Sequence, residues 1–400
     1  MSYAWRASEL AVCPATVAAG TTISVVSERT SFDALEPEWN DLFRRAGRDA
    51  QPFQSFNWSW HWANHYLDPG RRPRLSLAIV TVRREGRLVM LWPLVSERLA
   101  GLSLLRWMGE PVSQYGDALC ESGPDTASLM RTAWQFITTR LGADAIVLRK
   151  VRADAAVAPL FREIGLKCTG AEEAPFLDLA SAPDFDAYDQ RYSAKARKNR
   201  RRLMRRLEER GRVAVVRHTS GAQARAAALA GVALKRASLA AAGQLAPALA
   251  DPRFAAFFAD VAEARTRPAG CGLTVLESNG EIAGVAIDIS GGGRRAAHVL
   301  VHDPRLDGCG AGVLLVQEWV RGASADGIAT FDFLAPGHAY KMDWADGVVA
   351  VEDYALGLTL SGRIYTNIYV GLLRERLKTG AETLSRTMNW LQAGGVAVGW

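Results

Sequence analysis

Three of the six histidines, His298, His302 and His338, flank a glycine-rich stretch, HDPRLDGCGAGVLL, that runs from residue 302 to residue 315. An imidazole titrates near neutral pH and can take a proton from an incoming nucleophile, and His302 and His338 stand at the ends of expected elements, where a substrate can reach them. Alternation along a strand would put His298 and His302 on one face. Within the stretch, Arg305, Gly308 and Gly310 spell R-x-x-G-x-G, with Cys309, Ala311 and Gly312 completing the turn. The β-branched run AAHVLVHD precedes it and the apolar, helix-like GVLLVQEWV follows. A strand that turns through glycines into a helix presents unpaired N–H groups and a partial positive charge, which suits a pyrophosphate. The plainer reading of the same glycines is a loop that needs positive φ angles. A Walker loop would end in Gly-Lys-Ser/Thr, which is absent. A dinucleotide fingerprint would need a glycine at Val313 and a parallel βαβ setting, whereas a hairpin precedes this turn.

Asp332, in the strand-like TFDFL, is costly to bury alone. It therefore orients a histidine or Lys341, binds an acceptor, or forms a structural salt bridge. Trp58, Trp60 and Trp62, with His61, make either an acceptor-binding rim or part of a core.

The elements that must position these residues occur twice in the same order. FNWSWHWANHY (56–66) precedes two strand-like runs around Glu85-Gly86, then a helical TASLMRTAWQFITTRLG and a strand AIVLRKV. PRFAAFFADVAEART (252–266) precedes a hairpin around Asn279-Gly280, then AAHVLVHD, a helix and IATFDFL. A duplicated unit of helix, hairpin, strand, helix and strand follows. The expected divisions are an N-terminal extension (1–34), a first domain (35–180), a basic connecting helix (181–212), a second domain with the donor site (213–358) and an amphipathic tail (359–400).

At 400 residues, 49% hydrophobic and 22% charged, the chain has the composition of a globular protein of two domains. Its five cysteines are odd in number, far apart and without C-x-x-C pairing, so neither a disulfide framework nor a metal site is expected. No run reaches the length of a membrane span and the N-terminus makes a poor signal peptide, so the expected location is the cytoplasm or the inner face of the plasma membrane. The net charge of +6 is local: residues 191–212 carry eleven Lys/Arg against Glu208 and Glu209, so the rest of the chain is net acidic. An exposed cationic helix between Ser193 and Glu209, C-capped near Gly211, follows, with Leu203 and Leu207 as a thin apolar stripe. It suits a phosphate-rich ligand or an anionic membrane surface, or is a solvated linker; no aromatic residue is interleaved between Ala194 and Gly211, which argues against nucleic acid. Residues 363–400 form a basic, amphipathic segment that would lie on a membrane, on the protein's own core or on a second copy in a homo-oligomer.

Taken together, FNWSWHW, EGRLVMLWPLV, SAKARKNRRRLMRRLEERG, DPRLDGCGAGVLL and FDFLAPGHAYKMDW resemble the GNAT superfamily of acyl-CoA-dependent N-acyltransferases. The likeness is to the tandem-domain branch related to cellulose-biosynthesis acetyltransferase-like proteins and Fem-type transferases. It implies an α/β (α+β) fold of two tandem GNAT-like domains with mixed, mostly antiparallel sheets flanked by helices. It also implies acyl-coenzyme A as co-substrate, held by the turn from Arg305 to Gly312, and an amine acceptor. His302 or His338 would be the base, Tyr340 an acid or donor and Lys341 an anchor for acceptor or phosphate, with Trp344 as pocket wall. The Leu334-Ala335-Pro336-Gly337-His338 turn departs from the glycine-richer turn of many relatives. The acceptor implied is an amino sugar of an envelope or exopolysaccharide precursor; a membrane long-chain amine such as a sphingoid base competes with it. A Fem-like aminoacyl-tRNA-dependent transferase and a non-catalytic adaptor are the other classes.

Overall fold

A computed structural model describes residues 15–18, 20–67, 70, 74–244 and 246–373. Contacts divide the chain into two units, residues 1–172 with 350–370 and residues 173–349 with 371–400. The fold is mixed α/β, with mostly antiparallel strands flanked by helices.

In the first unit, α1 (Phe56–Tyr66) precedes a hairpin of β1 (Ile79–Arg84) and β2 (Arg87–Trp92). Its two-residue turn has Glu85 at φ 51° and Gly86 at φ 79°, the left-handed pair that matches strand twist. Thr21–Val26 pairs antiparallel with β1. β3 (Leu102–Trp107) and β4 (Ala145–Arg152) then run parallel, Leu104 opposite Ala145, with α2 (Thr126–Arg140) crossing between them. Residues 351–357 line the other edge of β4 in antiparallel register. Trp92, Trp107, Trp134, Phe161 and Tyr354 build the core, and the Trp92 and Trp107 rings stack 5.8 Å apart. Such large side chains each remove much apolar area from water, which sets the depth of the core.

Lys150, in β4, adopts φ 58° and donates to Gln114 Oε1 at 2.6 Å; burial pushes its ammonium down to about 8. The unfolded chain therefore binds more protons between about pH 8 and 10.5, and stability rises with pH across that window. Lys150→Met should stabilise the protein by on the order of 1 kcal/mol at pH 7, with the gain fading towards pH 10. Thermal unfolding at both pH values checks this; an unchanged midpoint at pH 7 would contradict it.

The second unit contains the end of β5 (Cys168–Asp178), α3 (Ala194–Glu208), β6 (Val213–His218), α4 (Gly221–Ala241) and α5 (Pro252–Glu263). These are followed by β7 (Gly270–Ser278), β8 (Glu281–Gly291), β9 (Arg294–His302), α6 (Ala311–Ala325) and β10 (Thr330–Asp332). β6, β7, β8 and β9 form an antiparallel meander, with Asn279 at φ 55° and Gly280 at φ 78° in the β7–β8 turn. β10 returns parallel to β9 through α6, and Phe176–Asp178 pairs antiparallel on its far side. A hairpin turned by two left-handed residues and a parallel crossover through one helix thus appear in both units.

The basic segment forms α3, with the Ser193 hydroxyl accepting from Ala196 N at its start. Leu203 and Leu207 are buried against Leu276, Ala311, Leu314 and Leu315 in the core of the second unit. Arg200 is buried on the same side, paired with Asp189 and lying over the rings of Tyr192 and Trp344. One flank of the helix is therefore core and the rest is solvated. Of the tail, residues up to 373 are described: Leu360, Ile364, Ile368 and Tyr369 are exposed at the end of the first unit, and the remainder of the 363–400 segment lies outside the described residues.

Candidate active site

In the second unit β10 covers only the first part of β9. The two strands pair over only three positions, Arg294, Arg295 and Ala296 against Thr330, Phe331 and Asp332, while β9 runs on to His302. Midway along that extension the register with β8 shifts: Val299 faces Ile287 but Ala297 faces Asp288, which leaves His298 as an extra, bulged residue. The bulge corrects the expectation that His298 and His302 share a face. His298 goes to α5, with its ring 4.8 Å from that of Phe258 and 6.3 Å from that of Phe254. His302 goes to the start of α6 instead.

The glycine stretch begins at that point. Pro304–Cys309 makes a tight helical turn, Gly310 takes φ 67° and ψ 34°, and α6 starts at Ala311 with no side chain capping it. A left-handed residue there is natural for glycine and costs other residues free energy. A Cβ on Gly310 would also stand 2.6 Å from Leu203 Cδ1, so α3 packs directly on the turn. Cys309 and Ala311 are buried beneath it. At Gly312 a Cβ would meet His302 Nδ1 at 2.9 Å, whereas a Cβ on Gly308 would meet nothing within 4 Å. His302 Nε2 lies 2.6 Å from Asp307 Oδ1, so its ring is held between the turn and the first residues of α6. Arg305 is highly exposed, and its guanidinium rests on Asp303 at 2.5 Å. Open space over Gly308, an uncapped helix start and a cation nearby are the fittings a diphosphate requires.

The remaining expected residues divide into two groups. Asp332 is fully buried, accepting from Arg294 at 3.0 Å and from Leu334 N at 2.8 Å, which is the salt-bridge reading. Beyond it the chain passes Leu334 at φ 61° into a single helical turn, Ala339–Met342. Lys341 is buried and donates to Leu334 O at 2.9 Å. His338 and Tyr340 are exposed with near-parallel rings 6.4 Å apart, and burial of its hydroxyl pushes the Tyr340 phenol up. Trp344 is buried beside Tyr192, whose hydroxyl donates to Trp344 O at 2.9 Å. In the first unit, Trp58 and Trp62 are core residues rather than a rim: they are 2% and 1% exposed, donating to Ser113 Oγ and Glu110 O. Trp60 is half-buried with Arg29 over its ring.

Sequence reasoning missed Lys235. It projects from α4 so that Nζ donates to the carbonyl of Leu300, two residues after the bulge, at 3.1 Å. Burial pushes its ammonium below the usual lysine range. The available signal was the adjacent pair Lys235-Arg236 inside an alanine-rich helical run. Among the described residues no cluster could hold a metal ion, and no helix is long and apolar enough to cross a membrane.

The family model of the acetyltransferase (GNAT) domain matches residues 194–342. Among solved structures, FemX superposes with a TM-score of 0.52 at 12% identity, covering 77% of this chain and 93% of that one. A conserved protein of unknown function from Bacteroides thetaiotaomicron gives 0.50 at 12% identity, over 83% and 98%. A tandem GNAT protein from the clavulanic acid biosynthesis pathway, solved without AcCoA, gives 0.46 at 15% identity, over 84% and 98%. At these identities the first two likenesses speak for the fold alone. No curated protein sequence matches the chain. The match over 194–342 spans α3, the bulged strand, the Gly310 turn and the Lys341 turn, so the segment that carries the candidate site is the one similar to the acetyltransferase (GNAT) domain.

Proposed function

We propose that the protein transfers an acyl group from acyl-coenzyme A to an amine of a cell-envelope precursor, either an amino sugar or a long-chain base. The observation that carries this reading is the left-handed Gly310 turn into the uncapped start of α6, at the end of a strand that runs on past its pairing with β10. Gly308 to Gly312 would hold the diphosphate, with Arg305 joining once it leaves Asp303. The donor supplies a thioester, whose carbonyl carbon is the electrophile. The acceptor nitrogen bonds to that carbon, the C–S bond breaks, the sulfur leaves as thiolate, and the proton shed by nitrogen needs a base. No cysteine nucleophile is required.

Lys235 and His302, along the part of β9 beyond its pairing with β10, are the residues suited to that proton. His302 is oriented by Asp307, which favours a fixed ring; burial lowers the Lys235 ammonium from its usual range, which makes its proton easier to give up. Lys235→Met should lower turnover by about 100-fold while donor affinity stays within about twofold. Stopped assays of free thiol release with titration calorimetry of coenzyme A test this pair of values. Full turnover would remove Lys235 and leave His302, then His338, as the base.

Incubation with a panel of acyl-CoAs and amines, followed by thiol release, tests the reaction itself. A Fem-like reading is favoured instead if only aminoacyl-tRNA supports product formation.

A further inference from the structure

We propose that the solvated flank of α3 is a docking surface for the anionic phospholipid headgroups of a membrane. Lys195, Lys198, Arg202 and Arg205 follow one another at intervals of three, four and three residues, which places them on one stripe of a helix. Together with Ser193, Ala196 and Asn199 they line an open trough of about 590 Å³. The row is roughly 15 Å long at 1.5 Å per residue. All four are exposed, and among the described residues none of them pairs with a carboxylate; Arg202 donates to Asn199 Oδ1 alone. The exposed Arg206 borders the row.

The helix cannot roll to neutralise these charges. Arg200, Leu203 and Leu207 are buried on its opposite side, Leu203 lies against Gly310, and Cys309 Sγ contacts Arg206 O. Several cations are thereby fixed facing outwards in a line, and a planar array of phosphates complements them better than one small ligand does. RNA would offer phosphates too, but it gains from stacking its bases, and no aromatic residue lies between Ala194 and Gly211. The apolar residues of α3 are committed to the core, so attachment is electrostatic and does not involve insertion of this helix. Because α3 packs on the Gly310 turn, docking would bring the candidate donor site close to the bilayer. This inference does not depend on the acyltransferase reading.

The test is co-sedimentation of the full chain with vesicles of phosphatidylcholine alone or containing phosphatidylglycerol. Binding is expected only with phosphatidylglycerol, and it should be lost at high salt. The variant Lys195→Gln/Lys198→Gln/Arg202→Gln/Arg205→Gln should bind at least about 100-fold more weakly, at roughly fivefold per cation. The double variant Lys195→Gln/Lys198→Gln should fall between, and circular dichroism should show both folded. Equal binding by the quadruple variant, no binding by the wild type, or tighter charge-dependent binding of tRNA than of vesicles would each overturn the proposal.

Discussion

Gly308→Asp should weaken acyl-CoA binding at least about tenfold without unfolding the protein, because it sets a carboxylate where the diphosphate is expected to sit. The position is suited to the experiment. Gly308 is exposed and not left-handed, and a Cβ there enters open space, so the backbone has no reason to move. Gly308→Ala is the control and should change affinity by no more than about twofold. By contrast, a side chain at Gly310 would have to adopt φ 67° and push against Leu203, so loss of binding there would be confounded by loss of structure. Titration calorimetry with coenzyme A distinguishes these cases; an aspartate variant that binds as well as wild type would remove the turn from the donor site.

The second large effect concerns the frame behind the site. Asp288 of β8 is fully buried and accepts from Trp319 Nε1 at 2.8 Å, Ser290 Oγ at 2.8 Å and Arg217 at 2.9 Å, with Arg295 3.5 Å away. Burial alone would raise this carboxyl, but the Arg217 guanidinium outweighs it and holds the group below the usual carboxylate range. Trp319 belongs to α6, so this cluster fixes the helix whose start forms the candidate donor turn to the sheet. Asp288→Ala strands the arginines and the indole N–H together and should cost about 3–5 kcal/mol. Asp288→Asn keeps an acceptor for Trp319 and should lose less. Because the native carboxyl is depressed, its contribution is present above the unfolded value of 3.8 and is lost as pH falls through the native one. Wild type and Asp288→Ala should therefore converge in acid. Urea unfolding at neutral and acid pH measures both; a neutral-pH loss under about 1 kcal/mol would show that the cluster does not hold α6.

How much of this was legible depends on whether the signal was local. Glu85-Gly86 and Asn279-Gly280 declare their hairpins because a two-residue turn needs two left-handed residues, and the structure has both pairs there. Ser193 starts α3 for a similarly local reason, whereas the helix is capped at Glu209, two residues before the expected Gly211. The bulge at His298 has no such signature: one inserted residue leaves composition unchanged yet sends His298 and His302 to different helices. Arg200 reads as one more solvated charge in a basic run, and only the Tyr192, Trp344 and Asp189 side chains, from outside the helix, show why it is buried. Lys235 was missed for the converse reason, since a lysine in an alanine-rich helix reads as solvated until the strand it reaches is known. Trp58 and Trp62 could be rim or core by type, and burial decides for core.

The central claim is that backbone amides at the β9–α6 turn grip the diphosphate of the acyl carrier. Amide hydrogen exchange of the full chain, with and without coenzyme A, addresses those groups themselves. Slowed exchange is expected across residues 308–314, with smaller changes elsewhere. Saturating coenzyme A that leaves these amides unprotected, or protects a different segment, would contradict it.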